Sequence, residues 1–179
     1  MLVETERFGA LEVDSEAIIE IVEGLYGFEH ARRFCIIDSG TGTACRARTF
    51  RWLQCLDAPG LAFVVVNPHD FFADYEVELE DQEAQALELR APEDAVIFNL
   101  VTLGAGPAEA TANLVGPIVL NAKNRKAKQV VLANQAYTTK HRLLPEPDRA
   151  GAEAALAPTV GALPGEGACS SLPAAAERV

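Results

Sequence analysis

The sequence has few of the residues that usually build catalytic or metal centres. Its 179 residues include three histidines, one tryptophan and four cysteines. The histidines His30, His69 and His141 lie far apart, and the chain has no Cys-x-x-Cys pair, His-x-x-x-His pair or Gly-x-Ser-x-Gly elbow. Its glycine-rich stretches lack the lysine that follows in a phosphate-binding loop. We therefore expect a protein that is not an enzyme and needs no cofactor or metal.

Long apolar runs are also missing. No run approaches the ~18 apolar residues of a membrane span, and the N-terminal sequence does not resemble a signal peptide. In a reducing compartment, free thiols are the simplest state of the four cysteines, Cys35, Cys45, Cys55 and Cys169. Only Cys45, beside Arg46 and Arg48, has neighbours that favour a reactive thiol. We expect a monomeric cytoplasmic protein without membrane contacts.

Positive charge is scarce as well. Lys and Arg number 15 against 26 Asp and Glu, so the formal net charge is −11. Because phosphate repels an acidic protein, we expect no direct binding to nucleic acid. Between residues 70 and 94, ten carboxylates are opposed only by Arg90: Asp70, Asp74, Glu76, Glu78, Glu80, Asp81, Glu83, Glu88, Glu93 and Asp94. This acidic stretch serves either solubility and edge protection or the docking of a basic protein.

What the sequence does contain is a series of short runs rich in β-branched and aromatic residues. Turn signals separate these runs, which cover residues 2–8, 18–22, 34–37, 49–56, 61–66, 75–79, 95–103, 115–120 and 129–133. Many short strands at nearly regular spacing predict an all-β fold. We expect a single, mainly antiparallel β-barrel-like domain over residues 1–144, with one or two short helices.

Several local features refine this prediction. In run 49–56, Trp52 and Leu53 point to opposite faces, so at least one face of that strand should line the barrel interior. Run 75–79 alternates, which places a row of carboxylates on one face of a strand. Asp81 is suited to cap a short helix through Leu87, and a second helical turn is possible around residues 29–33.

Residues 113–132 predict a β-hairpin. Pro117 heads its first strand, where a missing N–H costs little. In the turn, Asn121 and Asn124 are the residues that best tolerate a positive φ. The turn also carries a set of basic residues, Lys123, Arg125, Lys126 and Lys128. This basic turn is either a solvated loop or a contact for an acidic segment of a second partner.

The acidic stretch carries two candidate sites. Phe71 and Phe72 are adjacent, and neighbours on a strand point in opposite directions, so one of them should be exposed unless both fold under a loop. An exposed aromatic beside carboxylates is typical of a protein interface. The resulting partner-binding candidate consists of Phe71, Phe72, Asp74, Glu76, Glu78 and Glu80. The alternative is a small β-barrel enzyme that binds a metal or ligand through His69, Asp70 and Asp74.

Residues 145–179 have a different composition. Prolines recur in a segment otherwise rich in Ala, Gly and Glu, with no aromatic residue. Such a segment buries too little apolar surface to offset its ordering entropy. We predict a disordered C-terminal tail.

Deletion of residues 150–179 should therefore leave the melting temperature within a few degrees of wild type. The physical reason is that surface segments of this kind contribute roughly 0.5 kcal/mol or less to stability. Circular dichroism melting of the truncated and full-length chains checks this, and a drop of ten degrees or more, on the order of several kcal/mol, would show that the tail docks on the domain.

Five blocks of the sequence, in this order, resemble the FliW family of bacterial flagellar assembly factors: residues 24–29, 50–54, 67–75, 113–132 and 137–144. The resemblance implies a non-enzymatic cytoplasmic factor with chaperone-like and translation-regulating roles in flagellum biogenesis. In that family the protein binds flagellin and antagonises CsrA, a basic RNA-binding dimer, which relieves repression of flagellin translation. The resemblance therefore favours docking of CsrA on the acidic stretch.

Overall fold

The computed structural model describes residues 1–38, 50–105 and 109–144. Its eleven strands are β1 (Leu2–Thr5), β2 (Gly9–Glu12), β3 (Ile19–Ile21), β4 (Arg33–Asp38), β5 (Phe50–Cys55), β6 (Ala62–Val66), β7 (Ala95–Thr102), β8 (Thr111–Ala112), β9 (Ile118–Asn121), β10 (Lys126–Gln129) and β11 (His141–Arg142). One short helix, α1 (Asp81–Ala86), and 3-10 turns at Ser15–Ala17, Pro68–Asp70 and Pro92–Asp94 connect them. The predicted tail and the thiols of Cys45 and Cys169 lie outside the described residues.

Seven of these strands close into a barrel. Strands β3, β4, β5, β6 and β7 pair antiparallel in chain order, and β7 also pairs with β9. The hairpin partner of β9, β10, then returns to β3 in a parallel pair, with Ala127 opposite Ile21. Closure pairs the strands that would otherwise be the edges of an open sheet. The predicted, mainly antiparallel β-barrel is confirmed.

The barrel interior is filled by alternate residues of these strands. Phe34, Leu53, Val65 and Phe98 are nearly inaccessible to solvent and belong to one apolar cluster. Leu53 points inward, whereas its neighbour Trp52 packs on the outside against Phe8, with ring centroids 5.7 Å apart. The prediction that one face of this strand lines the interior is therefore confirmed.

The turn at residues 24–28 adds two side chains to the interior cluster. Leu25 is buried, and Phe28 meets the ring of Phe63 edge-on at 5.2 Å. The turn begins at Gly24, whose φ is +77°, and the N–H of Tyr26 donates to Gln129 Oε1 at 3.0 Å. This turn therefore joins the β3 end of the barrel to β10.

Apolar side chains also cover the outside of the barrel. The N-terminal hairpin β1–β2 packs through Val3 onto Cys35 and Leu56. On another part of the wall, Tyr75 and Leu87 belong to a larger cluster built on the outward side chains of β6, β7 and β9. The segment between residues 71 and 90 is thus held against the barrel by its alternate apolar residues.

Three local predictions fail in detail. Run 2–8 contains only the first strand of a hairpin, because β1 ends at Thr5 and the chain turns before β2, which starts at Gly9 with a φ of +67°. Residues 29–33 form no helix, and β4 already begins at Arg33. Helix α1 starts at Asp81, but its N-cap is Glu80, whose N–H donates to Glu83 Oε2 at 3.3 Å.

No helix in the described part of the chain is long and apolar enough to span a membrane.

The turn of hairpin β9–β10 has a different geometry from the one predicted. Arg125, with a φ of +63°, takes the left-handed conformation instead of Asn121 or Asn124. Both asparagines use their side chains to accept from the backbone two residues on, Lys123 N at 2.8 Å and Lys126 N at 3.0 Å. Side-chain bonds of this kind are the second way in which asparagine stabilises turns.

Candidate protein-docking site

Residues 75–80, the acidic lip, run along the outer wall of the barrel without joining the sheet. Tyr75 is buried, and Val77 and Leu79 pack against the outer apolar cluster. The carboxylates that alternate with them are exposed: Glu76, Glu78 and Glu80. The predicted strand is therefore wrong as a sheet member. The two faces that its alternation predicted are nevertheless present, because the apolar residues still bind the wall.

Side-chain contacts hold the acidic lip in place of a strand ladder. The hydroxyl of Tyr75 donates to Leu114 O at 2.7 Å and accepts from Asn99 Nδ2 at 3.3 Å. Burial raises the pKa of Tyr75 to about 12, so this hydroxyl remains a donor at neutral pH. The N–H of Glu76 donates to the hydroxyl of Tyr137 at 2.9 Å. Two tyrosines thus fix the beginning of the lip.

Beyond this anchor, three residues of the lip lack main-chain hydrogen bonds within the described part of the chain. Among residues 1–38, 50–105 and 109–144, no group hydrogen-bonds to the N–H or C=O of Val77, Glu78 or Leu79. The next fixed point is the N–H of Glu80, which is bound at the start of α1. The middle of the lip is held by its side chains alone.

An apolar groove with a volume of about 460 Å³ separates the acidic lip from the following loop. Its floor is the outer face of β7, at Ala95 and Ile97. The side chains that complete it come from the lip, from α1 and from the loop before β7: His69, Tyr75, Val77, Leu79, Ala84, Leu89, Arg90, Ala91 and Pro92. An open apolar groove of this size on a protein surface is a common form of binding site.

Uncompensated negative charge borders this groove. Eight of the ten carboxylates of the acidic stretch form no ion pair with a described residue: Asp70, Asp74, Glu76, Glu78, Glu80, Asp81, Glu83 and Glu93. Among the described residues that line the groove, Arg90 is the single lysine or arginine. Unpaired charges at the rim of a site change the rate at which it meets an oppositely charged molecule.

The two phenylalanines of the predicted site pack against other aromatic rings of the domain. Phe71 and Phe72 are both half-buried; the ring of Phe71 lies 5.9 Å from that of Phe50, and the ring of Phe72 lies 5.0 Å from that of His141. The expectation of an exposed aromatic is wrong, because the chain here follows a 3-10 turn at Pro68–Asp70 instead of a strand. The alternative, with both rings folded under a loop, describes the structure.

The four side chains of the basic turn form ion pairs or hydrogen bonds within the molecule. Lys123 pairs with Asp94 at 2.7 Å, Lys126 with Glu88, and Lys128 with Glu23 at 3.1 Å. The guanidinium of Arg125 donates to Ala17 O at 3.3 Å. Two of the nearby cations therefore pair with Asp94 and Glu88. They form no ion pair with the carboxylates of the acidic lip.

The same turn also forms hydrogen bonds to the segment between α1 and β7, which lines the far side of the groove. Leu87 O accepts from Asn121 Nδ2 at 2.9 Å and from Asn124 Nδ2 at 3.2 Å. The N–H of Ala122 donates to Asp94 O at 2.9 Å. Sequence reasoning missed this role, since it depends on contacts between residues 28 to 37 positions apart in the chain.

The two ion pairs predict a pH dependence of stability. Hydrogen bonds from Lys123 and Lys126 lower the pKa of Asp94 and of Glu88 below their ordinary values. A carboxyl whose folded pKa is depressed contributes stability above its unfolded pKa of about 4, and this contribution disappears as the pH falls through the folded pKa. Lys123→Met with Lys126→Met should therefore lose less stability than wild type between about pH 5 and pH 2.

Urea unfolding across that pH range checks the prediction, and the difference between the two proteins should be largest at neutral pH. Lys140→Met, which removes an exposed lysine with no ion pair to a described residue, is the control. Parallel curves for the double variant and wild type would mean that the two ion pairs contribute nothing measurable.

The alternative metal site is not favoured. In the part of the chain that the structure describes, no three His, Cys, Asp or Glu residues lie close enough together to hold a metal ion. His69 instead lines the groove, with its ring 6.3 Å from that of Tyr75. Cys35 and Cys55 are buried, and burial raises the pKa of both thiols, which does not suit a nucleophile.

Comparison with known proteins places this geometry in a family. The family model described as "FliW protein" matches residues 2–143. The chain is 40% identical to the flagellar assembly factor FliW of Treponema denticola over 151 residues, which cover 84% of this chain and 99% of that protein. It is 41% identical to the FliW of Magnetococcus marinus over 147 residues, 82% of this chain and 86% of that protein. A crystal structure of the flagellar assembly factor FliW superposes with a TM-score of 0.74 at 32% identity and covers 82% of this chain and 99% of that one.

Proposed function

The chain belongs to the FliW family of flagellar assembly factors, and we propose that it acts in the cytoplasm as an antagonist of a CsrA-type translational regulator. In this proposal it has a second protein partner, flagellin, and carries out no catalysis. Flagellin occupies it while flagellin is abundant. When flagellin is exported, the freed protein binds the regulator and relieves repression of flagellin translation.

The observation that carries the proposal is the unpaired acidic lip over an apolar groove. A CsrA-type regulator binds RNA and is basic, so it complements a surface whose carboxylates form no ion pair with a described residue. The groove supplies apolar area to bury, which carries more of the binding free energy than exposed charge does. Charge sets the rate of encounter and groove contacts set the lifetime of the complex.

Calorimetric titration tests the proposal. Purified CsrA-type regulator is titrated into this protein alone and into the protein saturated with flagellin. We expect saturable binding to the regulator, and a lower apparent affinity when flagellin is present, because flagellin holds the protein in its other complex. The regulator would be rejected as a partner if tens of micromolar protein gave neither heat nor a shift in gel filtration. That result would mean a binding free energy weaker than roughly −6 kcal/mol. Equal affinity with and without flagellin would reject the exchange.

A further inference from the structure

Two lengths of main chain beside the apolar groove lack a strand partner on at least one side among the described residues. One is the middle of the acidic lip, where Val77, Glu78 and Leu79 have no described hydrogen-bond partner. The other belongs to β7, because β6 pairs only with its residues 99–101 while β9 pairs with residues 95–98 on the opposite side. Residues 95–98 of β7 therefore have a strand on one side only. The groove lies where a further strand would fit.

Side chains in the lip already have the arrangement of a strand. Val77 and Leu79 face the barrel, and Glu76, Glu78 and Glu80 face solvent. The sequence of this segment predicts a strand, yet the isolated domain offers it no neighbour to pair with. An extended segment with unpaired main chain beside an apolar groove is the form of surface that binds peptides by strand addition.

We infer that the groove receives an extended segment of the basic partner, which pairs with the main chain of Val77, Glu78 and Leu79. The segment alternates apolar and basic residues. Its apolar side chains enter the groove over Ala95 and Ile97, and its lysines or arginines lie opposite the carboxylates of the lip. About five residues suffice, since a strand rises about 3.3 Å per residue.

Charge selects this occupant over the alternatives. A second copy of this chain would place one acidic lip against another, and like charges facing each other oppose association. A helix would fill the groove but leave the N–H groups of Val77, Glu78 and Leu79 exposed to water. An alternating basic strand satisfies the main chain, the groove and the carboxylates together.

Amide hydrogen exchange gives a direct test, which rests on the proposed function for the identity of the partner. In the protein saturated with the regulator, the amides of Val77 and Leu79 should exchange at least tenfold more slowly than in the free protein. Because consecutive N–H groups of an extended segment point to opposite sides, the amide of Glu78, which lies on the side of the Glu76 amide, should change less. The amide of Glu76 is already bound to Tyr137 and should change less. This measurement uses the wild-type protein, so its outcome does not depend on how a variant folds.

A matched pair of helix variants tests occupation of the groove. Ala84 lines the groove, whereas Ala86 on the same helix is exposed and does not. Ala84→Trp should fill the groove and weaken binding of the regulator at least tenfold. Ala86→Trp should stay within twofold of wild type.

The outcomes separate the inference from the proposed function. If wild type binds the regulator with no protection of the Val77 and Leu79 amides, or if both tryptophan variants bind equally well, the inference is overturned and the proposed function stands. Weakening by Ala84→Trp without amide protection indicates a helix in the groove and also overturns strand addition. If wild type does not bind the regulator at all, both are overturned.

Discussion

Glu76→Lys combined with Glu78→Lys should weaken binding of a CsrA-type regulator by at least tenfold, ~1.4 kcal/mol, at moderate salt. Both side chains are exposed on the acidic lip and form no ion pair with a described residue, so their reversal replaces attraction by repulsion without breaking an internal contact. Titration calorimetry at two salt concentrations measures the effect. Wild-type affinity should itself fall as salt rises, because exposed charges are screened within ~8–10 Å at physiological ionic strength.

A control variant separates local from global charge. Glu4→Lys with Glu12→Lys makes the same change in net charge on the N-terminal hairpin, which packs over a different apolar cluster. It should leave affinity within about threefold of wild type, under ~0.7 kcal/mol. If both double variants bind equally weakly, net charge alone governs association. If the Glu76 and Glu78 variant binds as wild type does, the lip is a solvated face and the docking site lies elsewhere.

Gly24→Ala should destabilise the fold by about 2–5 kcal/mol. Its φ of +77° disfavours any residue with a Cβ, at a cost of about 1–2 kcal/mol. A Cβ at this position would also lie 2.6 Å from the Cα of Glu29. Because backbone atoms cannot rotate away as a side chain would, this close contact adds about 1–3 kcal/mol. Urea unfolding followed by tryptophan fluorescence provides the measurement.

Gly27→Ala is the matched comparison within the same turn. Its φ is +83°, close to that of Gly24, but a Cβ there would meet no atom within 4 Å. It should therefore show only the conformational part of the cost, about 1–2 kcal/mol. Equal losses for the two variants would mean that the turn moves enough to relieve the contact at Gly24.

The parts of the fold that depend on residues close together in the sequence were predictable. Short runs rich in β-branched and aromatic residues located β5 and β6 within one or two positions, and the number of such runs predicted a barrel. The parallel pair of Ala127 with Ile21 was not predictable, since nothing in either segment identifies the other. The run 2–8 was misjudged because the chain turns after Thr5 and pairs back on itself from Gly9, whose φ is positive.

At the candidate site, too, local features were predictable and contacts between distant residues were not. The alternation of residues 75–80 correctly predicted one apolar and one acidic face, but sheet membership requires a partner strand that alternation does not report. Phe71 and Phe72 were assigned by a strand rule to a stretch that follows a 3-10 turn. The basic turn was considered as a partner surface because its pairs with Asp94 and Glu88 are invisible to local reasoning.

The parallel pair that closes the barrel has a consequence during synthesis. Strand β3 leaves the ribosome well before its partner β10, because their paired residues Ile21 and Ala127 are 106 positions apart in the chain. At roughly 5–20 residues per second, the nascent chain must wait several seconds or more with β3 and the interior side of β4 uncovered. Non-local pairing of this kind also slows folding after release. We therefore expect emerging chains of this protein to depend on chaperones that cover apolar surface until Ala127 reaches Ile21.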